Sequence, residues 1–308
     1  MEFLYFLESI RNPFLDTFFS IITHLGSETL FVVIAIIIFW CVSKQNGYYL
    51  LTVGFFGTVL NQFLKLACQI PRPWVRDPSF TIVESARADA TGYSFPSGHT
   101  QSITGSMGSI ARFTKDKALR ALCIILIALT AFSRMYLGVH TPADVITSLV
   151  IGTGLVFAFY PIFQKSKDNP GIIYAVLVLL TLCGLALVLY TELYPWGPDV
   201  DPHNLASGVK NGYMLMGCSI GMLLAAWIEG RYINFEVKAV WWAQLLKVVL
   251  GLLLVLAIKS GLKAPLNALF NEHHIATAIR YFLMVVFAAC VWPITFRWFS
   301  KLGENKES

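Results

Sequence analysis

The chain has 308 residues, of which 56% are hydrophobic and only 13% are charged, and its mean hydropathy is +0.65. Soluble domains carry about 25% charged residues, so this composition excludes an ordinary soluble domain and indicates a membrane protein. The six cysteines include no closely spaced pair, which excludes a disulfide scaffold. The net charge of +5 is spread over short basic clusters between apolar segments, a pattern typical of membrane orientation and not of nucleic-acid binding.

The first 27 residues are predicted to form an amphipathic segment at the membrane surface. Phenylalanines and leucines are interspersed there with Glu8, Arg11 and Asp16, which favours an interfacial helix over a spanning one. A cleavable signal peptide is not expected, because acidic residues occupy the place of its basic leader.

Apolar segments along the rest of the chain predict an all-α membrane bundle of about nine transmembrane helices. They cover residues 28–42, 47–66, 99–113, 117–137, 143–163, 171–190, 211–229, 240–259 and 276–296. The third segment is rich in Gly, Ser and Thr, so we expect it to pack inside the bundle and not against lipid. We divide the chain into the segment 1–27, a core of about five spans at 28–165, and about four further spans with a tail at 166–308.

Basic residues in the short loops predict the orientation of the bundle. One alternate set of connections holds Lys44, Arg112, Lys115, Lys117, Arg120, Lys165, Lys167, Arg231, Lys238, Arg297, Lys301 and Lys306. The positive-inside rule places these connections, and with them the C-terminus, in the cytoplasm. Two long connections, 66–98 and 191–210, then lie on the non-cytoplasmic side, and loops of such length tend to be functional.

Three polar clusters lie near the non-cytoplasmic ends of the spans: Lys65–Pro73, Pro96–His99 and Ser133–Asp144. Ionisable groups at membrane depth are costly and are therefore candidates for function. The cations Lys65, Arg72 and Arg134 outnumber the nearby carboxylates, so we expect them to bind an anion.

The turn Pro96-Ser97-Gly98-His99 identifies that anion most simply as a phosphoryl group. The turn opens a helix, where free backbone N–H groups and the helix dipole favour phosphate, and Gly98 permits close approach. Taken alone, this turn is a common one, and His99 alone would more often be a structural histidine. The presence of all three clusters in one chain favours a site.

His140 and Asp144 are four residues apart around a predicted helix start. The carboxylate can therefore accept from one imidazole nitrogen and leave the other free to attack, as in a catalytic triad with histidine as nucleophile. Thr141-Pro142-Ala143-Asp144 is also a capping box with proline at the first helical position. By itself, Asp144 is better explained as a cap than as a catalytic group.

Together the motifs Lys65-x6-Arg72-Pro73, Pro96-Ser97-Gly98-His99 and Ser133-Arg134-x5-His140-x3-Asp144 resemble the three-part signature of the type 2 phosphatidic acid phosphatase superfamily. All three parts match in order and in spacing. The shared region covers about residues 28–163. The added spans make the layout loosely similar to that of the glucose-6-phosphatases of the same superfamily.

The resemblance implies a role for each motif residue. His140 would attack phosphorus and form a phosphohistidine, Asp144 would hold its tautomer, and His99 would protonate the leaving oxygen and then activate water. The phosphoryl oxygens would be bound by Lys65, Arg72, Ser97, Gly98 and Arg134. No metal or other cofactor is implied, because three fixed cations do the work of a divalent ion.

Three functions remain open at this stage. The first is a membrane phosphatase for a lipid phosphate or pyrophosphate, with the membrane lipid as its partner. The second is a phosphatase for a soluble sugar phosphate. The third is a transporter of phosphorylated solutes, since an anion site in a helix bundle also suits transport.

Overall fold

The computed structural model describes residues 1–302; the last residues of the tail, including Lys306, lie outside the described part. Within residues 1–302 helices are the only regular secondary structure and no strand is present, which confirms the all-α expectation. In the first half of the chain the helices are α1 (Glu2–Ser9), α2 (Pro13–Thr23), α3 (Glu28–Cys41), α4 (Lys44–Cys68), α5 (Pro73–Arg76), α6 (Gly98–Phe113) and α7 (Lys117–Tyr136). The second half contains α8 (Pro142–Lys165), α9 (Gly171–Leu193), α10 (Pro202–Ile228), α11 (Trp241–Gly261), α12 (Lys263–Leu269), α13 (Ile275–Val286) and α14 (Phe296–Lys301).

Seven helical stretches are long and apolar enough to cross a membrane, so the protein is an integral, multi-pass membrane protein. They are Lys44–Arg76, Lys117–Tyr136, Pro142–Lys165, Gly171–Leu193, Pro202–Ile233, Trp241–Leu269 and Ile275–Lys301. An eighth is possible if Pro13–Gly26 and Glu28–Cys41, which meet at a bend of 50°, form one broken span.

The expected number of about nine spans is not confirmed. Helix α3 has only 14 residues, fewer than the roughly 20 that a span requires. Helix α6 has 16 residues and is rich in small and polar side chains. These two segments account for the difference.

The described chain divides into two compact units. The first comprises Met1–Val32, Val53–Ile162 and Thr191–Gly208; the second comprises Val33–Thr52, Phe163–Tyr190 and the chain from Val209 onward. The division into segments 1–27, 28–165 and 166–308 stays a prediction.

Within the first unit, α6 packs as its composition predicts. Its buried positions include Thr100, Thr104 and Ser109, and small residues on neighbouring helices let it approach closely. A Cβ atom added to Gly152 of α8 would lie 2.8 Å from Cβ of Thr104.

The N-terminal helix α1 packs against the long loop between α5 and α6 and against the C-terminal end of α7. Leu4 and Leu7 are almost fully buried in a cluster with Phe80, Ile82 and Tyr136. The opposite face of α1 leaves Phe3 and Phe6 exposed, as expected of an amphipathic interfacial helix. The loop is therefore held in place by an apolar core of its own.

The second unit is held by aromatic and polar contacts around Trp40. The Trp40 indole donates to the carbonyl of Ala288, and buried Lys247 donates to the carbonyl of Trp40, each at 2.8 Å. Lys247 also lies 4.4 Å from the centre of the Phe296 ring. These contacts satisfy the buried ammonium without a carboxylate.

Candidate active site

The structure pairs His140 with Asp144. The His140 Nδ1 atom lies 3.3 Å from Oδ2 of Asp144, and both side chains are buried. The same Oδ2 atom accepts from Ser94 Oγ at 2.6 Å and from the Thr141 amide at 2.8 Å. Asp144 thus takes part in the capping box at the start of α8, and the same oxygen faces the imidazole of His140.

Arg72 lies on the other side of the imidazole. Its Nη1 atom is 2.9 Å from His140 Nε2 and donates to the Val139 carbonyl at 3.0 Å. Its Nη2 and Nε atoms donate to the carbonyls of Thr91 and Gly92. Because Arg72 is always a donor, Nε2 must be the unprotonated nitrogen, which leaves the proton on Nδ1 to donate to Asp144.

Loop carbonyls hold the second cation as well. Lys65, near the end of α4 and 6% exposed, donates to the carbonyl of Tyr93. Consecutive residues of one loop segment, Thr91 to Tyr93, therefore position both Lys65 and Arg72.

Arg134, on the last turn of α7, is the most deeply buried of the three cations. Its Nη1 atom donates to Thr23 Oγ1 at 2.5 Å, whereas Nε and Nη2 have no hydrogen-bond partner among the described residues. Its carbonyl accepts from the amides of Val139 and His140 at 3.2 Å each. The turn that leads to His140 is thereby tied to the backbone of Arg134.

The turn at Ser97 to His99 opens α6 next to these groups. Ser97 Oγ caps the helix by accepting from the Thr100 amide, and the Ser97 amide donates to the Asp144 carbonyl at 3.2 Å. The Ser97 carbonyl accepts from Ser148 on α8. Gly98 leaves space, since a Cβ atom there would meet its nearest neighbour, Asn61 Oδ1, only at 3.9 Å.

All the predicted site residues lie in the first unit. Several buried polar atoms of the site have no hydrogen-bond partner among the described residues. His99 Nε2 is buried and has no hydrogen-bond partner in residues 1–302, like the two free nitrogens of Arg134. The unpartnered Oδ1 atom of Asn61 is an acceptor and does not belong to this set of donors. His99 lies within electrostatic range of Arg134, His140 and Arg72. Buried donors without partners are rare in proteins, so this arrangement is suited to an anion with several oxygens.

Burial, reinforced by the nearby Arg72 guanidinium, holds the pKa of His140 well below its usual range. A lowered histidine pKa keeps the imidazole neutral at physiological pH. A neutral imidazole keeps an unshared electron pair on Nε2, which lies 2.9 Å from Arg72 Nη1.

Sequence reasoning missed several residues that position the site. Ser94 lies three residues before Ser97, in the same short segment as the Pro96–His99 turn. This closeness in sequence to a predicted site motif could have marked Ser94 as a candidate. Thr23 contacts Arg134 across 111 positions of sequence, and Gly26 packs against His99. Nothing local in the sequence marks Thr23 or Gly26 as neighbours of the site.

A metal ion needs several His, Cys, Asp or Glu side chains close together. Nowhere in residues 1–302 do three or more His, Cys, Asp or Glu side chains group so that they could hold a metal ion. The polar atoms around His140 are mainly cationic donors, which suit an anion and not a cation.

Two family profiles match the chain. One, described as the PAP2 superfamily, covers residues 46–168, and the other, described as a PAP2 superfamily phosphatase transmembrane extension, covers residues 213–305. The first range contains every predicted site residue. No solved structure matches the chain.

Several curated relatives of the chain are named as phosphatases. The chain is 27% identical to a "Probable sphingosine-1-phosphate phosphatase" of Dictyostelium discoideum, over 73% of this chain and 57% of the relative. It is 36% identical to an undecaprenyl-diphosphatase of Bacillus subtilis, over 38% of this chain and 58% of the relative. It is 30% identical to phosphatidylglycerophosphatase B of Bacillus subtilis, over 51% of this chain and 80% of the relative. The chain thus spans just over half the length of the first two relatives.

Proposed function

Since the chain belongs to the PAP2 superfamily, we propose that it is a membrane phosphatase that hydrolyses a lipid phosphate or pyrophosphate through a phosphohistidine intermediate. The observation that carries this proposal is the set of unpartnered, buried donors of Arg134 beside an imidazole that Asp144 orients. Such a site binds a phosphoryl group and presents a nucleophile to it.

In the first step, the His140 Nε2 lone pair attacks phosphorus and the bond to the leaving oxygen breaks. Arg72 now occupies Nε2, so its guanidinium shifts from the imidazole to a phosphoryl oxygen as the substrate enters. Arg134, Lys65 and the amides of the Ser97–Gly98 turn stabilise the charge on the remaining oxygens. His99 donates a proton to the leaving oxygen.

In the second step, His99 accepts a proton from a water molecule that attacks the phosphohistidine. The N–P bond breaks, His140 recovers its lone pair, and inorganic phosphate is released. Asp144 stabilises the imidazolium character that develops on His140 in both steps.

A lipid substrate is supported by three features. The relatives described above are named as phosphatases of sphingosine-1-phosphate, of an undecaprenyl diphosphate and of phosphatidylglycerophosphate. The site lies in a chain with seven or eight candidate spans, and amphipathic α1 packs beside the loop between α5 and α6, whose Thr91 and Gly92 carbonyls accept from Arg72. We place the site on the non-cytoplasmic side, in keeping with the distribution of basic residues.

The test is phosphate release from a panel of substrates by the purified full chain. The panel contains phosphatidic acid, sphingosine-1-phosphate, an isoprenyl pyrophosphate and glucose-6-phosphate, with His140→Ala as the blank. Release from at least one lipid, in clear excess over glucose-6-phosphate, is expected. In sealed vesicles of known orientation, an impermeant short-chain substrate should be hydrolysed only when the non-cytoplasmic face is outside.

Preference for glucose-6-phosphate would overturn the lipid assignment and favour the sugar phosphatase. If no substrate on the panel releases phosphate while vesicles take up a phosphorylated solute, the phosphatase proposal fails and the transporter is favoured.

A further inference from the structure

A cavity of about 460 Å³ lies between α6, α7 and α8, at the opposite end of α6 from the Ser97–His99 turn. Its α6 wall includes Ala111 and three residues that lie on one face of the helix at a spacing of four, Thr104, Gly108 and Arg112. Arg112 is 15 positions beyond Ser97, or about 22 Å along a helix axis. The cavity therefore opens near the membrane face opposite the candidate active site.

Two arginines make the polar end of the cavity strongly cationic. Arg112 stacks its guanidinium on the Tyr160 ring at 4.0 Å, and its buried Nε atom has no hydrogen-bond partner among residues 1–302. Arg120 donates through Nε and Nη2 to two carbonyls at the C-terminal end of α6. Lys115 and Lys117 flank this end in the sequence.

No carboxylate offsets this charge within the cavity. The residues that line it include no acidic side chain. The nearest acid in sequence, Asp116, caps α7 by accepting from the Ala118 and Leu119 amides. The positive charge at the arginine end of the cavity is therefore not neutralised by a carboxylate of the lining, and this end favours an anion.

The rest of the cavity is apolar and opens sideways. Ile124 and Phe157, on its two walls, are 56% and 59% exposed, and both belong to helices long enough to span the membrane. Val156 forms part of the floor and is buried. Apolar side chains exposed on helices of this length suit contact with lipid chains better than contact with water.

We propose that this cavity binds an anionic phospholipid of the leaflet opposite the candidate active site. The headgroup phosphate contacts Arg112 and Arg120, and an acyl chain lies in the groove beside Gly108 and Thr104. A free phosphate ion would use the arginines but not the apolar groove, whereas a phospholipid uses both. This site does not depend on the catalytic proposal, because binding here requires no hydrolysis.

The experiment measures phospholipid binding to the full chain in detergent by native mass spectrometry, as lipid is titrated in. Phosphatidylglycerol is compared with phosphatidylcholine of the same acyl chains, so that only the headgroup charge differs. We expect phosphatidylglycerol to bind preferentially. The double variant Arg112→Gln/Arg120→Gln should weaken its binding by roughly tenfold or more, because each arginine contributes to attraction of an anionic headgroup.

Three variants locate the binding. Lys165→Gln/Lys167→Gln removes the same amount of charge from exposed positions of the predicted cytoplasmic set, outside the cavity, and should leave binding unchanged. Thr153→Phe fills the groove without altering charge and should weaken phosphatidylglycerol binding. Arg134→Gln, in the candidate active site, should not affect it.

Several results would overturn the proposal. One is undiminished phosphatidylglycerol binding by both Arg112→Gln/Arg120→Gln and Thr153→Phe. Another is loss of binding in Arg134→Gln alone, which would place the lipid in the active site. Displacement of phosphatidylglycerol by an equal concentration of inorganic phosphate would indicate an ion site and not a lipid site.

Discussion

Asp144 shows how one carboxylate serves both local structure and chemistry. The capping box between Thr141 and Asp144 forms, and the same Oδ2 atom faces the His140 imidazole. A cap needs only an acceptor, so asparagine could fill that role. Orientation of the imidazole needs an acceptor that also tolerates positive charge on the ring, which asparagine does poorly.

We expect Asp144→Asn to separate these two roles. The variant should keep a Tm close to that of the wild type, because its side-chain oxygen still caps α8. Its kcat should fall by about 10³- to 10⁴-fold and leave a measurable trace. His140→Ala should lose more, about 10⁵-fold or greater. Thermal unfolding in detergent and initial rates on the best lipid substrate measure both effects; equal activity of the two variants would contradict the assigned roles.

The neutral state of His140 predicts an unusual acid limit of activity. A free histidine has a pKa of about 6.5, and burial with Arg72 nearby lowers that of His140. Protonation blocks the attacking lone pair, so activity is lost only when the pH falls below the lowered pKa. The acid limb of kcat/KM should therefore lie below pH 6.5.

The substrate phosphate also titrates near pH 6, so two substrates with different phosphate pKa values serve as the control. A limb caused by the enzyme stays in place between them. A limb at or above pH 6.5 that is common to both substrates would show that His140 is not held neutral.

Among the secondary-structure elements, the N-terminal helices act on the site from a distance in sequence. Thr23, at the end of α2, accepts from Arg134, and Arg11, just after α1, donates to the Tyr136 carbonyl. Asp16 accepts from the Tyr136 hydroxyl at 2.7 Å. The segment therefore buttresses the C-terminal end of α7, from which Arg134 projects.

We expect Thr23→Val to reduce kcat/KM by roughly tenfold or more, because a buried guanidinium loses its positioning acceptor. Thr23→Ser, which keeps the hydroxyl, should restore the rate. Thr17→Val is the matched control, since Thr17 is exposed on the same helix and bonds only to its own turn. An unchanged rate in Thr23→Val, or failure of serine to rescue a loss, would exclude this positioning role.

The turn between α7 and α8 depends on Gly138. Its φ angle is +83°, and an added Cβ would lie 2.7 Å from Arg11 Nη2 and 3.0 Å from the Phe80 ring. Gly138→Ala should therefore cost at least about 1 kcal/mol and lower the Tm. In Gly154→Ala the Cβ would enter open space on α8, so that variant should be neutral or slightly stabilising. Equal Tm values for the two variants would contradict this account of the turn.

At the scale of the whole molecule, composition and hydropathy predicted the helical membrane architecture, and three short motifs predicted a clustered site. Motif residues such as His140 and Asp144 are four positions apart, so local geometry brings them together. The partnership of Thr23 with Arg134 depends on how distant helices pack, which no local pattern encodes. The number of about nine spans was not confirmed, because a hydropathy window judges apolarity and not helix length, and α3 has only 14 residues.

The N-terminal segment illustrates the same limit. Its amphipathic pattern predicted an interfacial segment, which stays a prediction, and Phe3 and Phe6 on one face of α1 are exposed. The pattern could not show that Leu4 and Leu7 on the other face pack under the loop next to the site. Sequence periodicity identifies a buried face but not the surface that buries it.

The central claim is that His140 is the nucleophile of a phosphatase, and trapping the intermediate tests it most directly. The purified chain is mixed with a lipid substrate labelled with ³²P at the terminal phosphate and quenched within milliseconds. We predict label on the protein that is stable to alkali and lost in acid, as expected of an N–P bond, and absent from His140→Ala. Acid-stable label on the wild type, or undiminished label on His140→Ala, would contradict the account.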